Sequence, residues 1–168
     1  NPPMGNRILI VTNGGGFGVI VADHCSENGL EVPPPSPQLK EKLGSKFSAF
    51  YVVNNPVDLT GSACDSDYYI ALNACMIESD EYDAAIIIPL MAPQGMTEKV
   101  VDLITETMKR SGKPAVICTV GGAFTMKIKG LFEEREFPVY PSPERSARAM
   151  SMLLKRRVLQ EGAVRSAI

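Results

Sequence analysis

The sequence predicts an α/β protein: a doubly wound parallel sheet in three α/β/α layers. Three observations predict it. Short runs rich in Ile, Val and Ala alternate with longer segments of helical periodicity. The apolar runs are continuous rather than alternating, as strands buried on both faces are. Glycine or proline follows nearly every apolar run, where a parallel sheet needs its turns. The 168 residues, 45% hydrophobic with a net charge of −2, suffice for one core and exclude wholesale disorder. No apolar run reaches the ~20 residues of a membrane span, and a pI near 5.5 gives no electrostatic reason to expect nucleic acid.

Each element follows in order. Arg7 to Thr12 (RILIVT) is the first strand, stopped by Asn13-Gly14-Gly15-Gly16. Val19, Ile20, Ala22 and Cys25 then recur at helical spacing until Asn28-Gly29, a helix stop. Val32 to Pro37 (VPPPSP) can hold only a short edge strand, because proline lacks a donor. Phe50 to Val53 is the second strand and runs into Asn54-Asn55-Pro56-Val57-Asp58. Asp67 to Ile77 is a helix with Tyr68, Leu72 and Cys75 on one face. Ala84 to Leu90 is the third strand, Met96 to Arg110 an amphipathic helix, Ala115 to Val120 the fourth strand, and Ala123 to Glu134 a helix. Phe137 to Tyr140 is the last strand. Ser142-Pro143-Glu144 then starts the C-terminal helix with a cap, a first-position proline and an acid in the first turn. The domain is expected over residues 7–158, with 1–6 a linker remnant and 159–168 a fraying tail. The start at Asn1-Pro2-Pro3-Met4 reads as a cut within a longer protein.

Ligands of open parallel sheets sit beyond the carboxyl ends of the strands. Four turns lie there: Asn13 to Gly18, Asn54 to Gly61, Pro89 to Gly95, and Gly121-Gly122. In the first, Asn13, Gly14, Gly15, Gly16, Phe17 and Gly18 lead straight into a helix, whose bare amides and dipole attract phosphate. The spacing matches neither the dinucleotide fingerprint nor a Walker A loop. The residues alone therefore leave a phosphate cradle and a merely tight glycine turn both open. In the second, Asn55, Pro56, Asp58 and Thr60 combine a fixed turn with short polar groups.

The remaining chemistry-bearing residues read as structural. Asp58 to Asp83 holds seven acids and no Lys or Arg, in a pattern that matches no metal loop and reads as a solvated acidic face. His24, the single histidine, falls over two helical turns (~12 Å) from Gly16 and is expected to be structural. With no second His, no hydrolase triad can be assembled. Cys25, Cys64, Cys75 and Cys118 lack C-x-x-C spacing and read as reduced thiols of a cytoplasmic protein. Lys155-Arg156-Arg157 and Arg165 make the tail basic, which favours docking to a partner or to the rest of a longer chain, with a solvated helix end as the default reading.

The segments GNRILIVTNGGGFGVIVAD, NPVDLTGSA, KPAVICTVGGA and FPVYPSPERSARAM together resemble the C-terminal ligase-CoA domain of the ADP-forming acyl-CoA (acetate–CoA) synthetases, relatives of succinyl-CoA synthetase. The likeness spans about Gly5 to Leu154 and implies a flavodoxin-like domain. It also implies an enzyme that interconverts acyl-CoA, ADP and phosphate with acid, CoA and ATP through a phosphohistidine carried by another domain. Carried over, the phosphate-holding role falls on residues 13–18, with Asn55, Pro56, Asp58 and Thr60 near the same site. Phe17 stands where proline is expected in relatives. The full enzyme would use CoA, ADP or ATP, Mg²⁺ and phosphate, none of them bound by this domain alone, and its catalytic residues would lie outside this chain. Its partners would be the CoA-binding, histidine-bearing and ATP-grasp units. A non-catalytic interaction domain of a synthetase-like protein is the alternative. A free-standing flavin carrier is disfavoured, because a Ser/Thr-rich phosphate loop is missing.

Overall fold

The computed structural model describes the backbone of residues 1–165 and the side chains through residue 160. Five parallel strands form one sheet: β1 (Ile8–Thr12), β2 (Val57–Asp58), β3 (Ala84–Ile88), β4 (Ala115–Cys118) and β5 (Val139–Tyr140), in the order β2-β1-β3-β4-β5. The helices are α1 (Gly15–Glu27), α2 (Pro37–Gly44), α3 (Asp65–Leu72), α4 (Lys99–Ser111), α5 (Ala123–Glu134) and α6 (Pro143–Arg165). A π-helical turn over Asn73–Ile77 continues α3. β1 pairs with β3 along its whole length, from Ile8 opposite Ala84 to Thr12 opposite Ile88.

The side chains of β1 alternate between two cores, as a pleat requires. Ile8 and Ile10 pack with Ile86, Ile88, Val21 and Cys25 of α1, and Ala147 and Met150 of α6. Leu9 and Val11 pack on the other face with residues of α2 to α5, among them Leu43, Tyr68, Ile104 and Phe132. Both faces of β1, β3 and β4 are thereby covered, which accounts for the unbroken apolar runs.

Four expectations are corrected. The second strand is Val57–Asp58, not Phe50 to Val53: Phe50 stands 82% exposed, and Val52 makes only a single antiparallel bridge to Asp58. Val57 instead reaches the core opposite Val11. The buried stripe of α1 is Gly18, Val21 and Cys25, whereas Val19 and Ile20 face outward. Residues 32–37 form no strand beyond the neighbouring Arg7–Glu31 bridge, and Pro37 opens α2. There Ser36 caps the helix by accepting from Leu39 N–H.

The acidic stretch is also not a free solvated face. Asp67 accepts from Cys64 N–H and Tyr51 O–H, Asp65 from Thr97 N–H and Oγ1, and Glu81 from Ser36 N–H and Oγ, while Asp83 clamps Arg7. At the C-terminus, α6 carries residues 159–165 as helical backbone, and residues 166–168 lie outside the described residues. At the N-terminus, Pro3 is buried and Asn6 C=O accepts from Glu31 N–H.

Candidate functional site

The chain reverses direction across the sheet between β1 and β3, since β2 lies on one side of β1 and β4 and β5 lie beyond β3. That switch point is where doubly wound sheets open a crevice. Here side chains stitch it closed. Asn13 is buried; its Oδ1 accepts from Leu90 N–H at 2.8 Å and its Nδ2 donates to Leu90 C=O at 2.8 Å. The fully buried Tyr68 places its hydroxyl 3.0 Å from Asn13 Oδ1 and 2.8 Å from Ile88 C=O. Burial holds the Tyr68 phenol well above its ordinary pKa, so it remains a neutral donor. Thr119 Oγ1 donates to Pro89 C=O and ties the turn after β4 into the same edge.

This bracing fixes the start of α1. Thr12 Oγ1 accepts from Gly14 N–H at 3.0 Å, and Gly14 C=O accepts from Phe17 N–H at 2.9 Å. Gly15 and Gly16 are left as the two first-turn residues whose N–H groups find no acceptor among the described residues. Such amides carry the positive end of the helix dipole. The two glycines differ in surroundings. A Cβ on Gly16 would meet nothing within 4 Å, whereas one on Gly15 would overlap Asp58 Oδ2. Phe17 is half-buried against the core shared with α6. Gly18 lets α1 settle on the sheet, because a Cβ there would stand 2.9 Å from Thr12 Cγ2 and 3.1 Å from Pro56 Cβ.

The second loop supports this helix start from the side. Asn55 follows neither strand nor solvent: its Oδ1 accepts from Ile10 N–H at 2.9 Å, and its Nδ2 donates to Ile8 C=O at 2.8 Å and Pro33 C=O at 3.0 Å. The amide therefore serves as a strand for the part of β1 that β2 is too short to pair. Pro56, joined to Asn55 by a cis peptide, packs beneath Gly18. Asp58 brings one carboxylate oxygen against Gly15, while the other accepts from Thr60 N–H at 2.9 Å. Thr60 adopts a left-handed φ of 55°, and its hydroxyl pairs with Ser62 Oγ.

The structure thus brings together Gly15, Gly16, Asp58 and Thr60 at one point and spends the Asn13 and Asn55 side chains on the backbone. Thr12, Tyr68 and Leu90 also belong to this turn, and no sequence pattern marks them. Tyr68 read correctly as a core residue, but nothing in its spacing marks the hydroxyl as a brace for the turn. His24 lies down α1, 2.8 Å from Glu27, away from this point. All four cysteines are free; burial pushes the thiols of Cys25 and Cys75 up to about 12 and raises that of Cys118 as well. Among the described residues, no group of three or more His, Cys, Asp or Glu could hold a metal ion. No helix among the described residues is long and apolar enough to cross a membrane.

A parallel β2-β1-β3-β4-β5 sheet with a glycine-rich helix start beside its switch point defines a flavodoxin-like α/β domain. The sequence model of the Ligase-CoA domain family matches residues 8–149, and the chain belongs to that family. It is 31% identical over 156 residues to the alpha subunit of ADP-forming acetate–CoA ligase I of Pyrococcus furiosus, a match covering 91% of this chain and 33% of that subunit. To the alpha subunit of ligase II of the same organism it is 32% identical, over 91% of this chain and 34% of that subunit. In structure it resembles the dinucleotide-forming acetyl-coenzyme A synthetase 1 of Ca. Korarchaeum cryptofilum in complex with phosphate and ADP. The TM-score is 0.86 at 28% identity, covering all of this chain and 36% of that one. The chain spans about a third of the length of the relatives it matches.

Proposed function

We propose that the chain is one unit of an ADP-forming acyl-CoA synthetase, which converts acyl-CoA, ADP and phosphate to acid, CoA and ATP. Within it, the start of α1 holds the phosphate of a phosphohistidine supplied by another unit. One observation carries the reading: the unpartnered N–H groups of Gly15 and Gly16 at a braced, side-chain-free helix N-terminus. The chain's own histidine lies elsewhere, so its part is electrostatic. The two amides donate to phosphoryl oxygens, and once a covering domain excludes water each donor is worth on the order of 10²-fold in rate.

Asp58 shapes the outcome. Its carboxylate beside Gly15 repels a dianionic phosphate, so the turn favours a phosphoryl group in transit over a tightly trapped anion. The same carboxylate favours the second reading, a non-catalytic interaction unit whose turn keeps anions out. Replacing Gly16 with leucine in the full-length synthetase separates the two, since the site has room for a Cβ and the fold is spared. The first reading predicts that phosphohistidine formation, followed with labelled phosphate, falls by about tenfold or more while thermal stability holds. Unchanged phosphorylation decides for the second.

A further inference from the structure

An open groove of about 640 Å³ runs between β5 and the outer side of α6, floored by Tyr140, Met152 and Leu153. Arg145, Arg148 and Arg156 stand along it, and none of the three forms an ion pair or side-chain hydrogen bond among the described residues. They spread over about 16 Å of helix axis, three turns, with apolar side chains between them. Met152 is 59% exposed, and Val158 and Leu159 carry the exposed apolar surface further along α6.

We infer that this groove receives an amphipathic helix bearing Asp and Glu beside its apolar stripe, contributed by the part of the synthetase outside this chain. The inference rests on the reading of the chain as one unit of a larger synthetase. A compact anion would engage one or two arginines at a point, whereas this array is long, interleaved and apolar at its floor, the form of a helix-in-groove site. Charge selects the occupant: three guanidinium groups without an ion pair among the described residues favour a partner that brings carboxylates. The acidic stretch of a second copy meets that need poorly. All seven acids between Asp58 and Asp83 are engaged at home: Asp58 with Thr60, Asp65 with Thr97, Asp67 with Cys64, Glu78 with Lys42, Asp80 with Lys113, Glu81 with Ser36, and Asp83 with Arg7. The relatives extend over about three times the length matched here, which leaves ample chain to supply the helix.

Two measurements on the full-length synthetase test this. First, carbodiimide coupling followed by peptide mass spectrometry should join Lys155, exposed at the groove's flank, to an Asp or Glu outside this chain. Coupling only within this chain, or to a second copy in a mixture of light and ¹⁵N-labelled protein, overturns the inference. Second, hydroxyl-radical oxidation of Met152 should run about tenfold more slowly in the wild type than in the Arg148→Glu, Arg156→Glu double variant. Equal rates overturn it; the coupling experiment needs no variant and stands if the double variant misfolds. Phosphohistidine formation is read on the same samples. Its indifference to Gly16→Leu with Met152 still protected counts against the phosphate site and leaves the docked helix in place.

Discussion

Replacing Asn55 with alanine should destabilise the domain strongly, although Asn55 lies in a turn outside the sheet. Its amide is the partner of two backbone groups in a fully buried strand, Ile10 N–H at 2.9 Å and Ile8 C=O at 2.8 Å. Ile8 and Ile10 have no exposed surface, so water cannot replace the lost partner. Each orphaned buried group costs about 1–3 kcal/mol, and the pair together about 3 kcal/mol or more. For a domain of this size the melting temperature should fall by about 6–12 °C, at roughly 2–4 °C per kcal/mol. Asn55→Asp should do no better: it keeps the acceptor for Ile10 but turns a negative oxygen toward the Ile8 and Pro33 carbonyls. The assay is urea and thermal unfolding followed by circular dichroism. A loss under about 1 kcal/mol for Asn55→Ala refutes the strand-like role assigned to this side chain.

Two further outcomes follow from the same bookkeeping of partners. The Arg7 guanidinium, bonded to both Asp83 oxygens at 2.9 and 2.8 Å, holds that carboxyl below its ordinary range. The folded pKa is depressed, so the clamp's contribution, on the order of 1 kcal/mol, is present above about pH 4 and lost as pH falls through the lower folded value. Urea titrations should show wild type and Asp83→Asn converging below that pH; a gap that persists under acid contradicts the clamp. Native alkylation at pH 8 should label Cys64, the one thiol that is not buried, well before Cys25, Cys75 and Cys118, as peptide mapping would show. Comparable labelling of the buried three tells against the packing described.

The strands with two buried faces were legible because their burial leaves no room for polar residues. β3 and β4 are read from AAIII and AVIC alone. The C-terminal helix start was equally plain, and Ser142 Oγ does accept from Arg145 N–H. The same Ser-Pro signal at Ser36-Pro37 marks α2, but the prolines just before it mask the helix start in one dimension. β2 begins seven residues and ends five residues beyond the expected strand because the apolar Phe50 and Val52 mimic a strand, while burial is decided by where the Asn55-Pro56 turn delivers Val57. Of the site, the glycine turn was legible and its bracing was not. Asn13 and Asn55 look like ligand-facing amides in one dimension, and only the approach of Leu90 and β1 shows their hydrogen bonds already spent.

The most direct test of the central claim is a crystal structure of the full-length synthetase grown with inorganic phosphate and ADP. The account predicts a phosphoryl oxygen within about 3 Å of both Gly15 N and Gly16 N, with a histidine of another unit facing it across the start of α1. A structure with phosphate bound elsewhere, and these two amides covered by a side chain or by water alone, would contradict it.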